Sequence, residues 1–313
     1  MKKVFQFSLG VLAAFASLFV SCDDGGNEGG GNNDLFCNVS VTNTAGGSVS
    51  ITDYLDNTSK VLIGATIEVV AVPESGYEFL GWFIGNSDEP VSTNATFKFV
   101  ASRDVALVAK FERRKTIKDG HEYVDLGLPS GIKWAAYNVG ATKPEEYGGY
   151  YAWGETEEKS NYDWSTYKWC KGSSDTMTKY CTDSSYGTVD NKTVLDPEDD
   201  VAHVKWGGDW RMPTKAEQDE LRNNCDWTWT TQNGVNGFSV TGPNGNSIFL
   251  PATGNRDGTD VSLRGSNGYC WSSSLYSDYV RDAYYLYFSG NYYDWATYHN
   301  YRYYGLSVRP VCR

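Results

Sequence analysis

Residues 204–221 read VKWGGDWRMPTKAEQDEL. The middle of this stretch specifies its own local structure. Thr214 followed three residues later by Glu217 is a capping box, in which the hydroxyl accepts from the Glu217 amide and the carboxylate reaches back to the Thr214 amide. Pro213 stands just before the cap, and Ala216 and Leu221 mark the apolar positions of a helix of about two to three turns. It is the one clear helix signal in the chain. The 313 residues include 33 Gly, 23 Tyr and 11 Trp but only 3 Met and 3 His, a mix that favours strands and turns. Working outward, 237–241, 247–250, 283–288 and 306–311 read as strands. Arg211 and Arg309 sit inside otherwise apolar blocks and read as structural arginines that bond loop carbonyls or carboxylates.

The segment 37–112 has a different texture. Ile67, Val69 and Ala71 alternate with Glu68, Val70 and Val72, and the period of two returns at Phe97 and Phe99 and at Val105, Leu107, Ala109 and Phe111. Residues 73–76 and 85–90 supply turns. Tyr77 and Trp82 read as packing aromatics. The polar run RRKTIKDG, 113–120, reads as a hinge between two modules.

Two resemblances follow. The stretch GATIEVVAVPESGYEFLGW, 64–82, closing on Ala109-Lys110-Phe111, resembles the divergent internalin-type B-repeat module, which implies a small all-β spacer. VDLGLPSGIKWAAYNVGA at 124–141, GGYYAWGET at 148–156, the 204–221 block, FLPATGNRDG at 249–258, CWSSS at 270–274 and YGLSVRPV at 304–311 resemble the Fibrobacter succinogenes major paralogous domain. That family is similar to C-type-lectin-like folds, including the formylglycine-generating branch. The resemblance implies an α+β C-type-lectin-like domain over 121–313 with long loops. It implies the fold and not the activity: the reactive cysteine pair of the formylglycine-generating enzymes has no counterpart that can be placed here.

The N-terminus reads as an address. Lys2 and Lys3 precede an apolar run over 4–20, and Ser21-Cys22 follows, the pattern of a secretory signal over 1–21. Leu18-Phe19-Val20-Ser21-Cys22 resembles a bacterial lipobox, which implies lipidation of Cys22 and a membrane anchor. DDGGNEGGGNND, 23–34, cannot fill a core and reads, within 22–36, as a tether. Acidic residues directly after the lipidated cysteine resemble the surface-export signal of Bacteroidota lipoproteins. The expected location is therefore the outer membrane, lipid-anchored and exposed at the cell surface.

The charge of −12 argues against a nucleic-acid backbone as partner. Apart from Cys22 there are six cysteines, at 37, 170, 181, 225, 270 and 312. In an exported protein an even count permits disulfides, and Cys170 and Cys181 enclose a short loop that a bridge would close. No cysteine or histidine spacing fits a metal site, so no metal and no cofactor are expected. Asp257 and Asp260 are a faint echo of a calcium loop without its terminal glutamate and read as a solvated acidic loop. Glu155, the acids of 196–200 and Asp209 are the remaining acidic candidates, but no nucleophile elbow, HExxH or phosphate loop accompanies them.

The strongest functional signal is NYYDWATYHNYRYY, 291–304, with six Tyr, one Trp, one His and one Arg in fourteen residues. Tyrosine and tryptophan give large, rigid contact area with a polar tip. Tyr292, Tyr293, Trp295, Tyr298, His299, Tyr301 and Arg302 are therefore the expected ligand face. The expected function is non-catalytic binding of a surface glycan or protein. A structural part of the envelope or a fimbria is the alternative, and an enzyme of formylglycine-generating type comes third.

Overall fold

A computed structural model describes residues 35–53, 57–74, 76–290 and 294–313, without the side chains of 294 and 295. The signal segment, Cys22, the tether up to residue 34, Tyr292 and Tyr293 lie outside the described residues. The chain divides between Arg114 and Lys115 into two compact units.

The first unit is all β: β1 (Phe36–Asn43), β2 (Gly47–Ile51), β3 (Thr58–Leu62), β4 (Thr66–Pro73), β5 (Tyr77–Ile84), β6 (Thr96–Val100) and β7 (Val105–Arg113). They form two sheets, ordered β3-β1-β7-β5 and β2-β4-β6. The alternation read in the sequence is the alternation of burial. Ile67, Val69 and Ala71 face the core with Val39, Val41, Leu107 and Ala109, and both sheets contribute to that single core. Trp82 is fully buried, and its indole donates to the Ala95 carbonyl at 3.3 Å. Tyr77 packs against the α-carbon of Gly46, where a β-carbon would come within 2.1 Å of the ring.

The expected hinge, 113–120, contains the division between the units and is not irregular throughout. Arg113 ends β7, and Thr116–Lys118 is β8 of the second unit, paired with β9 (His121–Asp125). Then follow β10 (Lys133–Ala135), α1 (Val201–Trp206), α2 (Lys215–Asn224), β11 (Asp226–Gln232), β12 (Val235–Thr241), β13 (Ser247–Pro251), β14 (Asn255–Asp257), β15 (Asp260–Ser262), β16 (Asn267–Leu275), β17 (Asp282–Ser289), β18 (Asp294–Tyr301) and β19 (Val311–Cys312). The unit is predominantly β, with two short α-helices among the described residues. The helix α2 carries the expected capping box, closed in both directions. The helix α1 has no strong apolar period. It starts because Asp200 accepts from the amides of Ala202 and His203 at 2.9 and 3.1 Å.

The sheets run β19-β10-β9-β8, β11-β12-β13, β14-β15 and β16-β17-β18. The last of these separates two cores. Ala283, Tyr285, Tyr269 and Trp271 face one; Leu286, Phe288 and Cys270 face the other. The expected strand 306–311 is a strand only at its end. Leu306 bridges Tyr151, Ser307 bridges Cys270, and only Val311 enters a ladder, at β10. Pro310 has no amide to give a ladder, so this segment is held by single contacts with different neighbours.

Between β10 and α1 the chain runs for more than sixty residues with only two 3-10 turns as regular helix. Side chains do the work of a ladder here. The indoles of Trp153 and Trp271 donate to the carbonyls of Ser272 and Tyr151, both at 2.8 Å. The hydroxyls of Tyr162 and Tyr167 donate to the carbonyls of Tyr150 and Trp153 at 2.6 and 2.7 Å. Two buried arginines complete the frame. Arg309 donates to Asn138 Oδ1 and to the carbonyls of Ala135, Ala136 and Phe249 at 2.8–3.1 Å. Burial pushes its guanidinium down to about 10, so it stays protonated at neutral pH. Arg211 instead makes a bidentate pair with Glu217 at 2.8 and 2.5 Å. Both match the structural roles read from their apolar surroundings.

Candidate functional site

The aromatic C-terminal stretch falls on β18 and the turn behind it. Among the described residues β18 pairs only with β17 and is the outer strand of its sheet. Alternation sends Tyr298 and His299 to opposite faces. Tyr298, opposite Tyr285, is 46% exposed and lies edge-on to Tyr287 at 5.7 Å. His299, opposite Tyr284, stacks on Tyr276 with centroids 3.8 Å apart and planes at 10°. Its Nδ1 is hydrogen-bonded to Asp282 Oδ2 at 2.7 Å. Burial pushes the Asp282 carboxyl up, against the pull of His299, and the other carboxylate oxygen is buried without a partner.

Beyond β18 the rings form a ledge. Tyr301, Tyr303, Tyr304 and Trp164 are half-buried. Trp164 meets Tyr303 at 5.0 Å and Tyr301 at 5.8 Å, and Tyr303 stacks on Tyr304 at 4.7 Å. The guanidinium of Arg281 lies 5.6 Å from the Tyr301 centroid and 5.8 Å from that of Tyr279, which is 47% exposed. Burial holds the Tyr304 phenol above its ordinary value; Tyr303 pulls it down and Asp257 raises it further. The ledge thus offers apolar ring surface, phenol hydroxyls and a carboxylate side by side. Trp164, Tyr276, Tyr279 and Arg281 join it from distant loops, and no local pattern in the sequence marks them.

Two expectations are corrected. Arg302 is not a ligand residue: it is fully buried, with Nε donating to the Tyr167 hydroxyl at 2.9 Å and its other nitrogens to the carbonyls of Tyr180, Val280 and Lys179 at 2.8–3.0 Å. Its neighbours Tyr301 and Tyr303 stay on the surface while the guanidinium turns inward to carbonyls that no ladder satisfies. Cys170 and Cys181 are free thiols. Each is committed to a different carbonyl, Cys170 Sγ to Trp164 and Cys181 Sγ to Asp183, both at 3.1 Å. Trp295 stands opposite Phe288 in the ladder.

The acidic candidates are dispersed. Asp257 and Asp260 face each other across the β14–β15 hairpin, and no group of three metal-ligating side chains occurs among the described residues. Glu155 accepts from Lys159 Nζ and the Lys168 amide, and Asp199 from Lys179 Nζ and the Tyr180 hydroxyl, both at 2.6 Å. A cleft of about 440 Å³ opens beside Pro197, Asp200, His203, Asp209 and Arg211. Three of these side chains are already engaged. Asp200 takes three backbone amides, from Ala202, His203 and Met212; Arg211 holds Glu217, and Asp209 holds Lys118 at 2.7 Å. Burial still pushes the Asp200 carboxyl up despite those amides.

No helix among the described residues is long and apolar enough to cross a membrane. No curated protein and no solved structure matches the chain. Residues 223–311 match a family model described only as a domain of unknown function, DUF8237, which spans β11 to β18 and the ledge turn. Residues 37–115, the seven-stranded first unit, match the divergent InlB B-repeat domain.

Proposed function

We propose that this protein is a cell-surface lipoprotein whose second unit is a C-type-lectin-like, non-catalytic binding domain for a glycan or protein ligand, held out by the B-repeat unit. The observation that carries the reading is the ledge. Trp164, Tyr301, Tyr303 and Tyr304 leave part of their ring surface at the protein's exterior beside Asp257, where a ligand would bury it. The resemblance of Leu18-Phe19-Val20-Ser21-Cys22 to a lipobox supports the anchor, and the acidic residues after Cys22 support the surface location.

The test is a glycan array probed with the Cys22→Ser chain, followed by Tyr303→Ala and Tyr298→Ala. The expected result is a ligand bound by the parent and lost by at least about tenfold in Tyr303→Ala, with thermal midpoints nearly unchanged. Binding that survives removal of both rings would sink the ledge as the site. In cells, Cys22→Ser should move the protein from the membrane fraction to the soluble one; a variant that still pellets would remove the anchor from the proposal.

A further inference from the structure

Acidic residues outnumber basic ones by 39 to 27, so an arginine without a carboxylate neighbour runs against the odds of this chain. Two such arginines flank a single tyrosine. Arg256, on β14, holds its guanidinium carbon 5.5 Å from the Tyr150 ring centroid and 6.0 Å from that of Tyr162. Arg264, just after β15, lies 5.7 Å from the Tyr150 centroid and 5.0 Å from that of Tyr147. Its Nε and Nη2 donate to the Tyr150 hydroxyl at 3.3 and 3.0 Å, and that hydroxyl donates onward to the Thr253 carbonyl at 2.5 Å. Among the described residues, neither guanidinium has a carboxylate oxygen within 4.0 Å, and Glu158 gives its Oε1 to the Tyr150 amide. Arg264 spends its Nε–Nη2 edge on one neutral phenol oxygen, which orients the guanidinium without cancelling its charge and leaves Nη1 to meet an anion.

The loop that carries Arg264 is built to hold it. At Gly254, φ is +66°, and a β-carbon there would come within 2.6 Å of the Arg264 amide nitrogen. The Gly265 amide donates to the Ala252 carbonyl at 2.8 Å, closing the loop. The backbone of Arg256 is fixed by its amide, which donates to the Gly305 carbonyl at 2.8 Å. Arg264 is exposed, and Arg256 and the Tyr147 ring are half-buried.

We propose that Arg256, Arg264 and Tyr147 form a second binding site, separate from the ledge, for an acidic sugar: a uronate or sulfate group held by the two guanidinium groups, with the sugar's C–H face against Tyr147. The ring argues for a sugar over a bare anion, because it sets a flat apolar surface beside the charges. The net charge of −12 argues for short anionic ligands over nucleic acid, because a local arginine pair acts within a Debye length, about 8–10 Å, while the rest of the surface repels a long polyanion.

Isothermal titration of the Cys22→Ser chain with a galacturonate trisaccharide, galactose 6-sulfate (a sulfated sugar without a carboxylate), a neutral galactose trisaccharide and a glutamate hexapeptide tests this. At least one acidic sugar should bind, more weakly at higher salt, and which of the two binds identifies the anionic group. The Arg256→Gln/Arg264→Gln variant should lose that binding by about tenfold or more with an unchanged thermal midpoint, and Tyr147→Ala should weaken it further. Tyr303→Ala should leave it intact, which separates this site from the ledge. Equal binding of neutral and acidic sugars, a peptide that binds as tightly as the acidic sugar, an unaffected double variant, or no binding of any probe would each overturn the proposal.

Discussion

Tyr298 and Arg302 lie four residues apart in one aromatic run, yet one is 46% exposed and the other fully buried. The composition of the run cannot separate them, because both belong to the palette of contact surfaces; only the carbonyls of Lys179, Tyr180 and Val280, brought in from elsewhere, decide where the guanidinium goes. Arg302→Ala leaves those acceptors buried and unpaired and should lower stability by about 3 kcal/mol or more. Tyr298→Ala should stay within about 1 kcal/mol of the parent. Urea midpoints of the two variants check this, and equal losses would contradict the assignment. Glu217 gives a pH test. Burial pushes its carboxyl up, but Arg211 and the Thr214 amide hold it below the ordinary carboxylate value. A carboxyl depressed in the folded state contributes stability that is present above the unfolded value, about 4.3, and is lost as pH falls through the folded one. Glu217→Gln should therefore cost about 1–3 kcal/mol at pH 7 and flatten the loss of stability below pH ~4, followed by chemical denaturation at several pH values.

At the scale of elements, the legible parts of the chain are those whose cause is local. The cap of α2 needs only Thr214 and Glu217, and the strands of the first unit need only an alternation that each strand states by itself. The segment 306–311 looked like a strand for the same reason, but its neighbours are separate pieces of chain and no ladder forms before Val311. The helix α1 was missed because its start depends on Asp200, which also accepts from Met212 twelve residues on. The ledge was half legible: its tyrosines stand in the run, while Trp164 and Tyr279 enter from loops. The loop holding Cys170 and Cys181 carries its own prediction. With each thiol bonded to a separate carbonyl, alkylation under denaturing, non-reducing conditions should label both cysteines. A cross-linked peptide pair in the mass spectrum would restore the bridge.

At the scale of the whole molecule, two units with their own cores should unfold as two units. A chain comprising residues 115–313 should melt cooperatively by itself, and a protease-sensitive, non-cooperative fragment would count against the division at Arg114.

The long segment between β10 and α1 is pinned by partners far ahead of it. Trp153 waits for Ser272, 119 residues on; Tyr167 waits for Arg302, 135 residues on; and Asn138 waits for Arg309, 171 residues on. During synthesis, then, this segment is made early and ordered late. A nascent chain of 300 residues already contains every aromatic anchor of the loop and neither of the arginines that lock it. Contacts of such separation make folding slow, so this segment stays open until Arg302 and Arg309 are available to close it.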